Sequence, residues 1–300
     1  MKKARNNLIL KVIGLLFNSF YDFSLSLLKR SKRGFSGFII VLLFILMAAV
    51  GPEVVPYDPS MRPERRFQPA SFEHIFGTDY GGRDLFSMII HGSRNVLIIA
   101  FLAGAYTVIL GTFIGILSGF KGGKIDDALM FIADFALTIP SVPLILVLAI
   151  FIRGVTNPFI LAGIVSITSW AGLSRAVRSQ TLSLKRRGFI EAASCLGLST
   201  LHIIFKEIIP NMLSYIVVSF LYAVTGAIYA SIGLFFLGVL PFDETNWGII
   251  LNQSQEFGAF FSPTKEPLLV PILMIVLLQT GLVFLASGFE EFFNPRLRKD

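Results

Sequence analysis

Several stretches of this chain run for about twenty residues with almost no charged side chain among them. Residues 268–287, for example, contain no Asp, Glu, Lys or Arg. A helix of that length crosses the hydrocarbon core of a bilayer, and it satisfies its backbone hydrogen bonds internally, as lipid requires. The recurrence of such stretches therefore predicts an all-α membrane protein.

Composition supports the same class and limits the number of spans. Hydrophobic residues make up 54% of the 300 residues, charged residues make up 15%, and the mean hydropathy is +0.73. A soluble domain carries about 25% charged residues. A chain of this length has room for about six spans plus connecting loops. We therefore predict a polytopic fold with six transmembrane helices.

The predicted spans are the segments richest in Leu, Ile, Val and Phe. They cover residues 37–50, 95–117, 128–152, 159–174, 213–237 and 268–287. The first is expected to end at Gly51 and Pro52, because proline interrupts a helix. For the same reason, Pro140 and Pro143 are expected to bend the third span.

Two features inside the spans predict how helices pack. The second span carries a small-residue face for close helix packing, formed by Gly111, Gly115 and Gly119. Asp134 lies about two turns inside the third span, where an ionisable residue needs a partner. Arg175 and Arg178, at the end of the fourth span, are the candidates. We predict that one of them pairs with Asp134 and pins the two helices together.

The N-terminal region allows two interpretations. Residues 8–28 are apolar, but basic clusters lie on both sides of them. They form either an extra span or a helix lying in the membrane interface. A span would place one basic cluster outside the cell, against the positive-inside tendency. The interfacial helix is therefore favoured.

Charge placement sets the predicted orientation. With six spans, most of the 26 Lys and Arg residues fall in segments on one side, which the positive-inside rule assigns to the cytoplasm. The prediction is a multi-pass protein of the plasma (inner) membrane with both termini cytoplasmic. Its parts are a basic N-terminus with the interfacial helix (1–36), the first span (37–51), an extracytoplasmic loop (52–94), a five-span core (95–288) that contains a cytoplasmic loop (175–212), and a cytoplasmic tail (289–300).

The cytoplasmic loop contains a predicted helical hairpin. Glu191, Ala192 and Ala193 begin a helix-favouring run, and Gly197 is a natural helix stop. Apolar residues at helical spacing follow, beginning with Leu201, and they predict a second short helix that Pro210 ends. Ala192 and Ala193 are expected to expose a shallow face, which suits docking into a groove on another protein.

The spacing of this hairpin resembles the EAA loop of ABC importer permeases. The shared pattern is Glu-Ala-Ala, three residues, Gly, nine residues, and a short apolar run that closes on Pro. In that family the loop forms the coupling helix, which seats on the nucleotide-binding subunit. The resemblance implies that the coupling contact consists of Glu191, Ala192, Ala193, Gly197, Leu201 and Pro210.

A second segment resembles the dipeptide, oligopeptide and nickel branch of that family. Residues 76–84 match its FGTDxxGRD signature, and the matching side chains include Gly77, Thr78, Asp79, Arg83 and Asp84. The glycines permit a tight turn, and the charged residues can lock it by ion pairing. A structural turn is the favoured interpretation over a substrate site. Similarities to the family continue at residues 231–238, 246–248 and 293–298.

The resemblance implies a set of partners and a transport role. The chain would form a heterodimer with a second homologous permease subunit, above two ABC ATPase subunits and below an extracytoplasmic substrate-binding protein. It would bind no cofactor itself, since ATP and magnesium would reside on the ATPase subunits. Oligopeptides are the expected substrates. Oligosaccharides are an alternative substrate class, because the sequence departs here from the usual pattern of peptide transporters. Tyr229 stands where those proteins commonly have an acidic residue, and residues 243–245 replace a proline-rich run. The substrate-binding residues are not identified.

Other chemistries find little support in the sequence. The segment 118–125 fails the phosphate-loop pattern, since Ser118 replaces its first glycine and Ile125 its final Ser or Thr. The chain is therefore not expected to be an enzyme, and Asp126 and Asp127 are expected to cap the next helix. The single cysteine, Cys195, cannot form an internal disulfide. The histidines, predicted on opposite sides of the membrane, suggest no metal site. They are His74, His91 and His202.

A nucleic-acid partner and two other functional classes make different predictions for the sequence. The net charge of +7 is explained by membrane orientation, so no nucleic-acid partner is predicted. An ion-driven secondary transporter would show inverted repeats and helices broken at the membrane midplane. A non-transporting membrane scaffold would not need the Glu-Ala-Ala spacing.

Overall fold

A computed structural model describes residues 31–151, 157–240, 244–262 and 264–293. The described part contains helices and no β-strand, so the all-α prediction is confirmed. The helices, in chain order, are α1 (Lys32–Val54), α2 (Leu85–Lys121), α3 (Gly123–Thr138), α4 (Ser141–Phe151), α5 (Pro158–Ser166), α6 (Ser169–Lys185), α7 (Gly188–Cys195), α8 (Thr200–Phe236), α9 (Trp247–Glu256) and α10 (Glu266–Phe293). The predicted interfacial helix at residues 8–28 lies outside the described residues, as does most of the predicted tail.

Four helices in the described part are long and apolar enough to cross a membrane: α1, α2, α8 and α10. Two further candidates are pairs of shorter helices, each pair bent sharply at a short break. The helices α3 and α4 meet at 86°, and α5 and α6 meet at 59°. If each pair is one span, the described part contains up to six spans, in agreement with the prediction.

The breaks are sharper than the sequence suggested. The third span was expected to bend at Pro140 and Pro143, and its two halves stand almost at right angles. Ile139 ends α3 in an extended conformation (φ −82°, ψ 122°), as expected for a residue that precedes a proline. Pro140 therefore separates two helices instead of kinking one. The fourth span was expected to be continuous, and the structure breaks it between Ser166 and Ser169.

Two predicted helix ends were wrong, and both involve proline. Gly51 and Pro52 lie inside α1, which continues to Val54. Gly51 packs so closely on Ile90 that a Cβ atom there would lie 2.5 Å from the Ile90 side chain. The packing of α1 on α2 therefore supports the helix past the proline.

Pro210 also fails to end its helix. Thr200 to Phe236 form one continuous helix, α8, which contains a π-helical turn at Ile203–Ile208. Pro210 lies in the first turn of the α-helical segment after that turn, where proline is well tolerated. The change in hydrogen-bond register in the π-turn thus lets the helix pass through the proline.

The bundle has two distinct ends. At one end, Gly34 of α1 meets Gly288 of α10, and the Lys185 Nζ of α6 donates to the Phe120 carbonyl of α2 at 2.7 Å. We call this the α7 end, because α7 follows α6 there. At the opposite end, His91 lies 2.8 Å from the Val55 carbonyl.

Glycines allow the closest helix contacts in the bundle. A Cβ atom at Gly288 would lie 2.3 Å from the Gly34 Cα atom, so α1 and α10 touch backbone to backbone. The predicted small-residue face of α2 packs in the same way against α6. A Cβ at Gly115 would lie 2.5 Å from the Ser174 carbonyl oxygen, and one at Gly119 would lie 2.9 Å from the carbonyl oxygen of residue 178. Close packing on this face is therefore confirmed.

The contact between Gly34 and Gly288 gives a test of this packing. We expect Gly288→Ala to destabilise the protein by about 1–3 kcal/mol, because the added methyl forces α1 and α10 apart. The measurement is the Tm of the detergent-solubilised protein. Gly233→Ala is the matched control, since a Cβ there meets nothing within 4 Å. Equal Tm values for the two variants would contradict the packing.

Candidate functional site

The hairpin around α7 is built by a left-handed glycine. Gly197 has a φ of +72°, and two backbone hydrogen bonds close the end of α7 around it. The Leu198 N–H donates to the Ala193 carbonyl at 3.2 Å, and the Gly197 N–H donates to the Ser194 carbonyl at 3.0 Å. This pattern is a Schellman motif. Ser199 then caps α8 by accepting from the His202 N–H at 3.3 Å, so the two helices are joined by a tight turn.

One side of the hairpin is anchored in the bundle. Ile190 and Ala193 are 2% and 6% exposed, and they belong to an apolar cluster with Ile203 and Ile208 at the start of α8. The sequence predicted that Ala192 and Ala193 share an exposed face. This prediction was wrong, because Ala193 is buried. Successive residues of a helix point about 100° apart, so two adjacent alanines cannot face the same way.

The other side of the hairpin is open. Leu196 is 79% exposed and Leu201 is 68% exposed, which is unusual for leucines next to a buried cluster. We call the exposed set the docking surface, and it consists of Phe189, Glu191, Ala192, Cys195, Leu196, Leu198, Leu201 and Phe205. Leu201 and Phe205 also line an apolar groove with α2. Exposed apolar side chains of this kind are candidates for an interaction site. Pro210 is exposed too, but it lies beyond the π-turn.

A large cavity opens inside the bundle. Its volume is 1310 Å³, and its walls come from α2, α4, α5, α6, α8 and α10. The polar residues that line it are Thr107, Ser141, Ser166, Ser169, Asn211, Ser214, Tyr215, Ser219 and Tyr222, together with the charged Arg187 and Glu290. A cavity of this size and polarity can hold a small hydrophilic molecule within the membrane-spanning part.

None of these residues was predicted from the sequence to line a cavity, although α8 carries a signal for them. Asn211, Ser214, Ser219 and Tyr222 recur on one face of an otherwise apolar helix. A polar stripe on a spanning helix faces protein or water and not lipid. The stripe alone cannot show which other helices complete the walls.

The cavity and the docking surface are adjacent along the chain. Arg187 lines the cavity, and it is also the N-cap residue of α7. A displacement of α7 would therefore act directly on the cavity wall.

The ion pair predicted for Asp134 is present with Arg175, at 3.6 Å between Oδ1 and Nη1. Both side chains are 58% exposed, so the pair lies on the surface of this chain. Arg178 has a different partner. Its Nε and Nη2 donate to the two carboxylate oxygens of Asp126, each at 2.6 Å, and Asp126 also accepts from Ser118.

The pair between Asp126 and Arg178 ties α2, α3 and α6 together at the α7 end. Asp126 is only 8% exposed, and its pairing was missed because the sequence analysis assigned it to helix capping. Gly122 occupies the N-cap position of α3 instead. The bidentate geometry makes this the stronger of the two ion pairs.

A comparison of these pairs gives a second test. We expect Asp126→Ala to cost about 2–3 kcal/mol of stability, because it removes a bidentate, largely buried partner from Arg178. Asp134→Ala should cost no more than about 1 kcal/mol, because its pair is exposed. Both values can be measured from Tm in detergent. A larger effect at Asp134 than at Asp126 would contradict the assignment.

At the opposite end, residues 76–84 form a tight, hydrogen-bonded turn. Gly77 has a φ of +72°, and a Cβ there would lie 2.4 Å from the Gln68 carbonyl oxygen. Thr78 Oγ1 accepts from the Gln68 N–H at 2.8 Å. Asp84 caps α2 by accepting from the Ser87 N–H at 2.8 Å. The turn therefore sets the start of α2.

A buried ion pair holds the turn from inside. Arg83 is 1% exposed, and its Nε and Nη2 donate to Asp79 at 2.8 and 2.6 Å. The same guanidinium contacts Glu244 and donates to Gln253 at 3.4 Å. Burial lowers the pKa of Arg83, but hydrogen bonding and the charges of Asp79 and Glu244 outweigh it, so the pKa is raised overall. The side chains are occupied with one another, which supports a structural role for the turn.

Removal of Arg83 provides a third test. We expect Arg83→Gln to lower stability by about 3–5 kcal/mol, because Asp79 is left buried without its counter-ion. Arg62→Gln is the control, since its pair with Asp58 is about half exposed and contributes at most about 1 kcal/mol. Tm and the rate of proteolysis of the loop at residues 55–84 measure the difference. Similar losses in both variants would argue against a central role for Arg83.

Comparisons with known proteins match most of the chain. Residues 111–299 match the family described as binding-protein-dependent transport system inner membrane component. Residues 24–70 match the N-terminal TM domain of oligopeptide transport permease C. The first of these matches contains the docking surface and most of the cavity lining.

Similar proteins bear transport names. A dipeptide transport system permease protein of Bacillus subtilis is 30% identical over 276 residues, covering 91% of this chain and 84% of its own length. An oligopeptide transport system permease protein of the same species is 31% identical over 273 residues, covering 90% and 88%. A dipeptide permease of Alkalihalophilus pseudofirmus is 33% identical over 276 residues, again covering 90% and 88%.

Proposed function

The chain belongs to the family of inner membrane components of binding-protein-dependent transport systems, and on this premise we propose that it is a permease subunit of an ATP-driven peptide importer. The observation that carries the proposal is the junction at Arg187, because the N-cap residue of α7 also lines the polar cavity. The names of the similar proteins favour dipeptides and oligopeptides over oligosaccharides as substrates.

The docking surface is proposed to receive an ATPase subunit. Ala192 and the exposed leucines offer apolar contact at low side-chain entropy, and Glu191 at the start of α7 adds a charge for orientation. Because Ile190 and Ala193 are buried against α8, a force on the docking surface would pass to α8. Coupling requires that the docking free energy differ between the two states of the ATPase.

The cavity is proposed as half of the translocation pathway. It is lined by serines, tyrosines and an asparagine, which can hydrogen-bond to successive peptide groups without binding any one of them tightly. A second, homologous permease would supply the other half. Large apolar residues on α3 and α4 are available for that contact, since Phe131, Phe135 and Phe151 are 73%, 60% and 81% exposed.

The remaining partners follow from the same proposal. ATP and magnesium would be bound by two ATPase subunits on the cytoplasmic side, so this chain would catalyse no reaction itself. An extracytoplasmic binding protein would deliver the peptide to the end that holds the turn at residues 76–84. Basic residues concentrated at the α7 end support its placement in the cytoplasm, and they include Lys32, Arg33, Lys121, Lys124, Lys185, Arg186 and Lys206.

Reversal of one charge on the docking surface tests the coupling role. We expect Glu191→Lys to reduce ATP-driven peptide uptake at least several-fold, because the ATPase no longer seats correctly, while the permease still folds. Uptake and ATP hydrolysis would be measured together in proteoliposomes that contain the complete transporter. Asp127→Lys is the matched control, since Asp127 is also exposed at the α7 end but lies outside the docking surface.

The single cysteine provides a direct readout of docking. Cys195 is exposed on the docking surface, so a membrane-impermeant maleimide should label it only from the cytoplasmic side. Bound ATPase subunits should slow the labelling, and Glu191→Lys should restore it. Labelling from outside intact cells, or unchanged uptake in Glu191→Lys, would overturn the proposed coupling.

A further inference from the structure

The cavity wall contains one carboxylate, Glu290, close to the end of α10 at the α7 end. Among the described residues that line the cavity, it is the only acid. No ion pair in the described part of the chain involves it. Its hydrogen-bond partner is the Tyr222 hydroxyl of α8, which donates to Glu290 Oε1 at 3.5 Å. This long contact leaves most of the carboxylate's hydrogen-bonding capacity open to the cavity.

A carboxylate without an ion pair among the described residues has a cost in this position. Glu290 is half-buried in the cavity wall, three residues beyond the span predicted at 268–287, and burial removes part of the hydration of a carboxylate. A structural hydrogen bond to Tyr222 would be served equally well by a neutral Gln. A carboxylate with these contacts can accept a cation that enters the cavity and leaves it again.

The surroundings favour an organic cation over a bound metal ion. The described residues contain no group of three or more His, Cys, Asp and Glu side chains able to hold a metal. The other polar groups of the cavity wall are mainly hydroxyls, a phenol and an amide, and they include Ser219, Tyr222 and Asn211. An ammonium group has several donors, which one carboxylate and nearby hydroxyl or amide oxygens can accept. Arg187, in the same lining, makes this end of the cavity bipolar.

We propose that Glu290 and Tyr222 form a binding point for the positively charged group of a peptide leaving through the α7 end. The carboxylate contacts the ammonium group, and the Tyr222 hydroxyl orients the carboxylate. This inference rests on the proposed function, because it takes the cavity to be the path of the peptide. It adds that passage is faster for peptides that carry a positive charge.

The test compares peptides that differ only in charge. The complete transporter would be reconstituted in proteoliposomes, with three tripeptides that carry Lys, Met or Glu at the central position. With Glu290→Gln, we expect uptake of the Lys peptide to fall about two- to five-fold relative to the Met peptide, the range of a partly screened ion pair. Uptake of the Glu peptide should be unchanged or faster. Tyr222→Phe should give a smaller change in the same direction.

Control variants separate this role from a structural one. Glu291→Gln changes the neighbouring acid on α10, which does not line the cavity, and should leave the ratio of Lys to Met uptake unchanged. Glu290→Asp keeps the charge and should retain a preference for the Lys peptide. N-acetylated versions of each peptide show whether the α-ammonium or the lysine side chain is bound, and a charge effect from either source supports the proposal.

The outcomes of this test are distinct. An equal loss in Glu290→Gln for all three peptides, whether or not they are N-acetylated, would show that Glu290 acts only in folding or assembly, and would overturn the inference. Unchanged ratios with normal uptake would also overturn it, while the proposed function would stand. If the wild-type transporter takes up none of the peptides, the proposed function itself fails, and this inference fails with it.

Discussion

The burial of α7 against the start of α8 is the contact on which the functional geometry depends. Ile190 and Ala193 enter an apolar cluster with Ile203, Ile208 and neighbouring residues of α6. Full burial of an isoleucine is worth about 1.5–3 kcal/mol, so a few such residues hold a short helix firmly. An isolated eight-residue helix would not be stable in water. The exposed side of α7 is therefore well placed only because its other side is packed.

The rest of the bundle follows the rules of helix association in lipid. Lipid is as apolar as leucine, so the hydrophobic effect does not drive helices together within it. Close approach at Gly34, Gly115 and Gly288 supplies dispersion contacts instead. Polar links add to them at both ends, through Asp126 with Arg178 and through the buried Arg83. These links hold helices together while the middle of the bundle keeps a polar cavity.

The features that depend on local chemistry were predicted correctly from sequence patterns. The spans follow from apolar length, the small-residue face of α2 from a four-residue glycine spacing, and the end of α7 from Gly197. Each depends on residues close together in the chain. The family resemblance, now shown by the comparisons, also came from short motifs with fixed spacing.

The features that were missed depend on contacts between distant segments. Arg178 was predicted only as a candidate partner of Asp134, and its pairing with Asp126, on an earlier turn of α3, depends on the packing of α3 on α6. Pro210 was expected to end a helix, but the preceding π-turn accommodates it. The breaks at α3–α4 and α5–α6 resemble those expected of ion-driven carriers, yet they occur here in a member of another transporter family. Broken spans alone therefore do not distinguish the two classes.

The length of α8 has a mechanical consequence. Its 37 residues form one uninterrupted rod from the docking surface to the far end of the bundle, a distance of about 55 Å. A rod that pivots near one end magnifies small rotations, so a tilt of about 5° would displace the other end by about 5 Å. That displacement equals about the width of an extended peptide backbone. A single stiff lever could thus convert a slight movement at the hairpin into the opening or closing of the opposite side.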